Sequence, residues 1–173
     1  MPAIFTTEAL SQFLPGTWTI RATNFPFWLS GERADGRLNY ELSGTDPLIF
    51  ADTVTYAKPD GAVKKIVGID RWTGQGFVWH GKGILGLLSS RWTVTGGSDD
   101  LNILAIHYDK SLVTPAGIDI IVREGSEPRE LRSLVARGTE MFGLTAEDFA
   151  SLTWLEPERI DTATDTPPTA PKD

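Results

Sequence analysis

Eight short runs with strand character follow one another between residues 17 and 123, and each is closed by a turn. They fall at 17–24, 37–43, 47–57, 63–72, 77–82, 87–95, 101–109 and 117–123. Alternation is clean at 37–43, where Leu38, Tyr40 and Leu42 take one phase and Arg37, Asn39 and Glu41 the other. Pro59-Asp60-Gly61, Thr73-Gly74-Gln75-Gly76 and the Gly96–Asp100 stretch carry residues that tolerate turn geometry. Strands at this spacing predict an antiparallel barrel or sandwich rather than a parallel α/β sheet.

The run at 63–72 and the run at 77–82 form a hairpin around 73–76. Symmetric closure sets Trp72 opposite Phe77 and Asp70 opposite Trp79, so these four share a face. Val67, Ile69, Arg71, Val78, His80 and Lys82 take the other face. Stacking surfaces around one carboxylate suit a pocket wall, since ligand pockets are mostly apolar with a few placed polar groups. The same aromatics would also serve as plain core.

The flanks differ from the middle. Thr6 or Thr7 can cap a short helix whose Leu10, Phe13 and Leu14 fall on one side. Pro15-Gly16 ends it, and Trp18, Ile20 and Ala22 then share one side of the first strand, with Trp18 large enough to plug a barrel end. The apolar stretch 25–29 contains Pro26, which disfavours a central strand or helix and leaves a packed loop or a lid. Helical spacing returns at 128–137 and 145–155, where Thr145 and Asp148 stand at capping-box distance. The strands at 101–109 and 117–123 are apolar in both phases, as strands between a lumen and packed helices should be. The sequence therefore reads as one domain over 1–156 and a Pro-, Thr- and Asp-rich disordered tail over 157–173.

Composition narrows the function. The net charge of −7 argues against nucleic acid and against anionic membranes, both of which need a basic surface. With no cysteine there is no disulfide, thiolate metal site or Cys nucleophile. No apolar run approaches the roughly 20 residues of a spanning helix, and the N-terminal residues lack a signal-peptide pattern, so a cytoplasmic monomer or homodimer is expected. Gly81-Lys82-Gly83 lacks phosphate-loop spacing, and no Gly-x-Ser-x-Gly elbow is present.

Four further residues carry candidate chemistry. Arg91 lies mid-strand; turned inward, its guanidinium would hold a ligand carboxylate, and turned outward it would be a solvated surface group. His80 and His107 are the only histidines. His80 shares phase with Arg71 and Lys82 and is expected outside. His107 shares phase with Ile103 and Ala105, which would place it inside as an acid, a base, a haem ligand or a structural group. Tyr40, between Leu38 and Leu42 in phase, is expected to project inward and need a partner for its hydroxyl.

Gly16, Trp18 and Arg123, with the helix-strand-helix order around them, resemble the lipocalin and fatty-acid-binding-protein group, the calycins. In lipocalins a Gly-x-Trp tryptophan closes one barrel end and an Arg near the last strand stacks across it, a cation–π contact that Trp18 and Arg123 would supply. The Thr-Asp-Tyr motif of that family is absent, so the chain looks more like intracellular bacterial lipocalin-like domains. Some of those bind haem through a His, as nitrobindin does, and phenolic acid decarboxylase is an enzyme of related shape.

The resemblance implies an all-β fold: an antiparallel calycin-like β-barrel of eight to ten strands, with a short N-terminal helix and one or two C-terminal helices packed outside. The expected function is binding of a small hydrophobic molecule, with or without an acidic group, by Trp72, Phe77, Trp79 and Arg91. One alternative is a cofactor-independent isomerase, cyclase, hydratase or lyase using Asp70, His107 and Tyr40. A haem barrel is the other. No cofactor is expected under the first two readings.

Overall fold

The computed structural model describes residues 5–111, 115–126 and 128–155. The tail expected over 157–173 lies outside the described residues. Helix α1 (Thr7–Phe13) is capped by the Thr6 hydroxyl, which accepts from the Ala9 N–H. Strand β1 (Gly16–Thr23) follows, then a one-turn helix α2 (Pro26–Leu29). Next come β2 (Ala34–Thr45), β3 (Leu48–Ala57), β4 (Val63–Trp72), β5 (Phe77–Gly81), β6 (Ser89–Gly97), β7 (Ile103–Tyr108) and β8 (Gly117–Arg123). Helices α3 (Leu131–Arg137) and α4 (Ala146–Ser151) and a two-residue strand β9 (Thr153–Trp154) complete the order.

Neighbouring strands β2 to β8 pair in sequence order, β8 pairs with β1, and β1 pairs with β2, so eight antiparallel strands close into a barrel. Closure removes the exposed edges that an open sheet would present. β1 closes it by dividing its outer edge. Its first half, Gly16–Thr19, pairs with β2, and its end, Ala22 and Thr23, pairs with β9.

The division is made by a bulge. Ile20 pairs with Ile121 but Ala22 pairs with Ile120, leaving Arg21 as the extra residue. A bulge reverses which face the following residues take. Trp18 and Ile20 therefore point into the barrel, while Ala22 joins the outer layer and Thr23 turns back in towards Asp119. This corrects the expectation that Ala22 shares a side with Trp18 and Ile20.

Two separate apolar layers result. The lumen holds Leu10, Leu14, Trp18, Leu38, Tyr40, Leu48, Phe50, Phe77, Trp92, Leu104, Ile106 and Ile121. Outside, Ile103 and Ala105 of β7 with Ile118, Ile120 and Val122 of β8 bury themselves under Leu131, Val135, Phe142, Leu144 and Leu152. The outer helices are fixed by the Thr145–Asp148 capping box, in which each side chain accepts from the other residue's N–H.

Candidate functional site

One end of the barrel is sealed. Trp18 is fully buried, and its indole N–H donates to the Leu14 carbonyl at 2.9 Å. The Arg123 guanidinium lies 4.2 Å from the centroid of the Trp18 ring. It also donates to the carbonyls of Phe13 and Pro15 at the end of α1 and to the Asn102 side chain. The seal thus combines a cation–π contact with hydrogen bonds to α1 carbonyls that the helix itself leaves open.

Above the seal the lumen is filled by aromatic rings. Phe50 meets Phe77 at 5.7 Å, Phe77 stacks on Trp92 at 4.6 Å, and Trp92 stacks on Tyr40 at 5.4 Å between centroids. Beyond this floor a cavity of about 160 Å³ opens towards the other end. Leu38, Val54, Ile66, Trp79 and Trp92 line it, with Tyr40, Asp52, Ser90 and Tyr108 as its polar members.

A lid covers this cavity. Phe25, Phe27 and Trp28 line its roof, and Phe25 stacks on Tyr108 at 5.2 Å. The stretch forms a helical turn despite Pro26, because proline occupies the first position, where its missing N–H has no partner to lose. Two glycines seat it. A Cβ on Gly36 would stand 2.7 Å from the Trp28 ring, and one on Gly117 would stand 2.6 Å from the Phe25 ring. Arg33 closes the lid from outside, 4.0 Å over Phe27 and 5.5 Å over Tyr56.

The electrostatics of the lumen are set by three buried aspartates. Asp52 is 6% exposed, and Asp70 and Asp119 are 0% exposed. Asp52 and Asp70 are diagonal neighbours on β3 and β4, since Phe50 pairs with Asp70 and Asp52 with Gly68. Trp92 Nε1 donates to Asp70 Oδ1 at 2.7 Å, which favours the ionised form there. Asp52 Oδ1 and Asp70 Oδ2 have no other partner, and one proton shared between the two carboxyls would serve both.

Burial is the main cause that pushes Asp52 well above the usual carboxylate range, with the Asp70 charge adding to it. Burial likewise pushes Asp70 up to about 7, against the opposing hydrogen bonds from Trp92 and Asp52. The pair titrates as a unit. Asp119 accepts from the Thr23 hydroxyl at 2.6 Å and is approached by Tyr108 and by the lid residue Trp28; burial still lifts it to about 6. Tyr40 and Tyr108 are both raised, first by burial and then by these aspartates, so both phenols are neutral donors.

The residues singled out by sequence divide cleanly. Tyr40, Asp70, Phe77 and Trp79 face the lumen, with Asp70 opposite Trp79 and Trp72 opposite Phe77. Trp72 packs on Phe77 at the edge of this group and does not reach the cavity. Arg91 is exposed on the outer face, beside Asp109 and Thr93, because the inner phase of β6 is Ser90, Trp92 and Val94. His80 is exposed too.

His107 also faces outward, contrary to the phase argument. Both phases of β7 are apolar, and the inner one is Leu104, Ile106 and Tyr108. His107 is half-buried near Asp148 and Asp109, and burial holds its imidazole below the usual histidine range. It cannot ligate a group inside the barrel. Among the described residues no Lys or Arg lines the cavity, and no cluster of side chains has the makings of a metal site.

Asp52, Asp119 and Tyr108 were not singled out by sequence, whereas the 25–29 stretch reads there as a packed loop or a lid. The signal was present for the two aspartates. Asp52 stands in phase with Leu48, Phe50 and Val54, and Asp119 stands among Ile118, Ile120 and Ile121. A carboxylate in the apolar phase of a strand is rarely fully buried without a partner or a function.

No family model matches the sequence, and no curated protein does. Solved structures do match. Lobster apocrustacyanin A1 superposes with a TM-score of 0.59 at 12% identity, over 89% of this chain and 87% of that one. H1 crustacyanin from the lobster Homarus americanus gives 0.57 at 15% identity, over 89% and 88%. The chain has a lipocalin-like fold. Ex-FABP, a siderocalin described as functioning through dual ligand specificities, gives 0.57 at 15% identity, over 86% of this chain and 97% of that one. Within this lipocalin-like barrel the Trp18–Arg123 seal and the closed eight-strand order stand where the sequence resemblance placed them.

Proposed function

We infer that the barrel binds one small, compact, largely apolar molecule in the cavity beneath the Phe25–Leu29 lid. The observation that carries this is the cavity itself: about 160 Å³ of space, walled by aromatic and aliphatic side chains, at the unsealed end of a closed barrel. An apolar cavity of about 150 Å³ is enough to hold benzene. A single ring with a short substituent therefore fits the space as it stands, and a larger guest requires the lid to move. The similarity to a siderocalin described with dual ligand specificities supports a binding role for this shape.

The side chains favour a guest other than an acid. Arg91, the residue expected to anchor a carboxylate, lies outside, and the polar groups left in the cavity are phenols, a serine and a carboxyl. A second reading, acid–base catalysis on the same guest, is favoured by the Asp52–Asp70 pair, whose Asp70 is poised at about 7. In that reading Asp52 and Tyr40 would transfer protons, and His107 would have no part.

Titration with toluene, followed by tryptophan fluorescence, tests the binding reading, because Trp28, Trp79 and Trp92 all line the cavity. A saturable change is expected, and it should disappear in Val54→Phe, which fills part of the space. A linear, non-saturating response in the parent protein would count against a binding cavity.

A further inference from the structure

We propose that the cavity is selective for small aromatic or arylalkyl amines, whose ammonium group is held by the Asp52 carboxyl while the ring packs against Trp79 and the Trp92–Tyr40 stack. This deepens the binding reading and rests on it.

Three observations converge. First, the cavity lining includes one carboxyl and no cation. Asp52 is 6% exposed, lines the cavity, and has nothing on Oδ1 but the proton it can share with Asp70. A buried acceptor with an open lone pair costs free energy that a donor from the guest would recover. Second, the rings of Trp79, Trp92 and Tyr40 border the same space, and aromatic rings attract a cation once water is excluded. Third, the carboxyls come as a set. Asp70 neighbours Asp52 on β4 and acts on it, and Asp119 on β8 acts with both on the Tyr40 phenol. A buried negative group without a fixed counter-ion favours a guest that brings one.

A cation on aromatic rings is already present nearby: the Arg33 guanidinium lies over Phe27 of the lid and Tyr56 of β3. The groups around Asp52 are Asp70, its neighbour on β4, the phenols of Tyr40 on β2 and Tyr108 on β7, on which its charge acts, and Ser90 and Trp92 of β6, which line the same cavity; Asp119 on β8 acts on the same two phenols. All are neutral donors or acids. None competes with an ammonium for the carboxyl except the proton shared with Asp70.

That proton gives the binding its pH dependence. The guest enters as an ammonium and the pair releases its proton to water, so no bond to carbon forms or breaks. Affinity for an amine should rise with pH through the range where the pair ionises, as long as the amine stays protonated. A neutral guest of the same size should show no such rise.

The test uses the full chain and four probes of one size: benzylamine, benzyl alcohol, toluene and benzoate, titrated by calorimetry and tryptophan fluorescence at pH 5.5 and 8. Benzylamine is expected to bind at pH 8 on the order of tenfold tighter than benzyl alcohol, as suits a charge-assisted hydrogen bond, and benzoate to bind weakest. Its affinity should fall by a similar factor at pH 5.5. Asp52→Asn should remove the amine preference and keep toluene binding, which shows an intact lumen. If toluene and benzyl alcohol bind and benzylamine binds no tighter, the amine assignment is overturned and the binding reading stands. If none of the four binds, both are overturned.

Discussion

Trp18→Ala is expected to lower the unfolding free energy by about 3–5 kcal/mol, the usual range for deleting a large buried aromatic. The side chain is fully buried, so the deletion leaves a void that the rigid barrel end cannot collapse into. Two further losses accompany it. The Leu14 carbonyl loses its indole donor, and the Arg123 guanidinium, already partly desolvated, loses the ring it rests on. Total stability of such domains is about 5–15 kcal/mol, so the variant should be marginal at room temperature. Urea unfolding monitored by circular dichroism measures this. A loss below about 1 kcal/mol would mean that the seal does not hold the barrel shut.

Stability should also fall as pH rises from about 4 to 7, against the common pattern in which carboxylates stabilise as they ionise. The sign follows from the direction of the shifts. A carboxyl raised in the folded state binds its proton more tightly there than in the unfolded chain. Its contribution is therefore complete below the unfolded value of 3.8 and is lost as pH climbs through the folded one. For Asp70, raised from 3.8 to about 7 and titrating together with Asp52, the loss is spread over that interval. For Asp119, raised from 3.8 to about 6, it is about 3 kcal/mol.

His107 works in the opposite direction at lower pH. Its folded imidazole is harder to protonate, so it costs stability as pH drops below its unfolded value of 6.5. Urea unfolding at pH 5, 6.5 and 8 should show a net decline towards pH 8, and Asp70→Asn should flatten it. Stability that is constant or rising over this range would show that the lumen carboxyls are solvated or already paired with a cation.

The two predictions depend on parts of the molecule that were unequally legible in the sequence. The seal was readable because Gly16, Trp18 and Arg123 sit at fixed places relative to the first and last strands. So was the β4–β5 hairpin, where a four-residue closure determines every cross-strand pair from Asp70–Trp79 to Trp72–Phe77. The buried acids were harder. Asp52 reads as a solvated residue unless its phase with Phe50 and Val54 is taken seriously. Asp119 is buried on a strand that is apolar on both faces, where alternation carries no direction.

His107 fails for that same reason, since β7 offers no polar phase to mark the outside. The bulge at Arg21 and the β9 pairing are set by how β1 must bend to meet both β2 and the returning chain, a tertiary demand with no local signature. Pro26 disfavours a central helix, yet it can open a helix of one turn, which alternation and spacing do not signal.

The measurement that bears most directly on the whole account is a crystal soaked with bromobenzene, located by the anomalous signal of bromine. One bromine peak is expected inside the barrel, between the Phe25–Leu29 lid and the ring stack of Tyr40 and Trp92, with the Trp18–Arg123 end unchanged. A barrel that has closed over the space with its own side chains, or bromine found only on the outer surface, would contradict it.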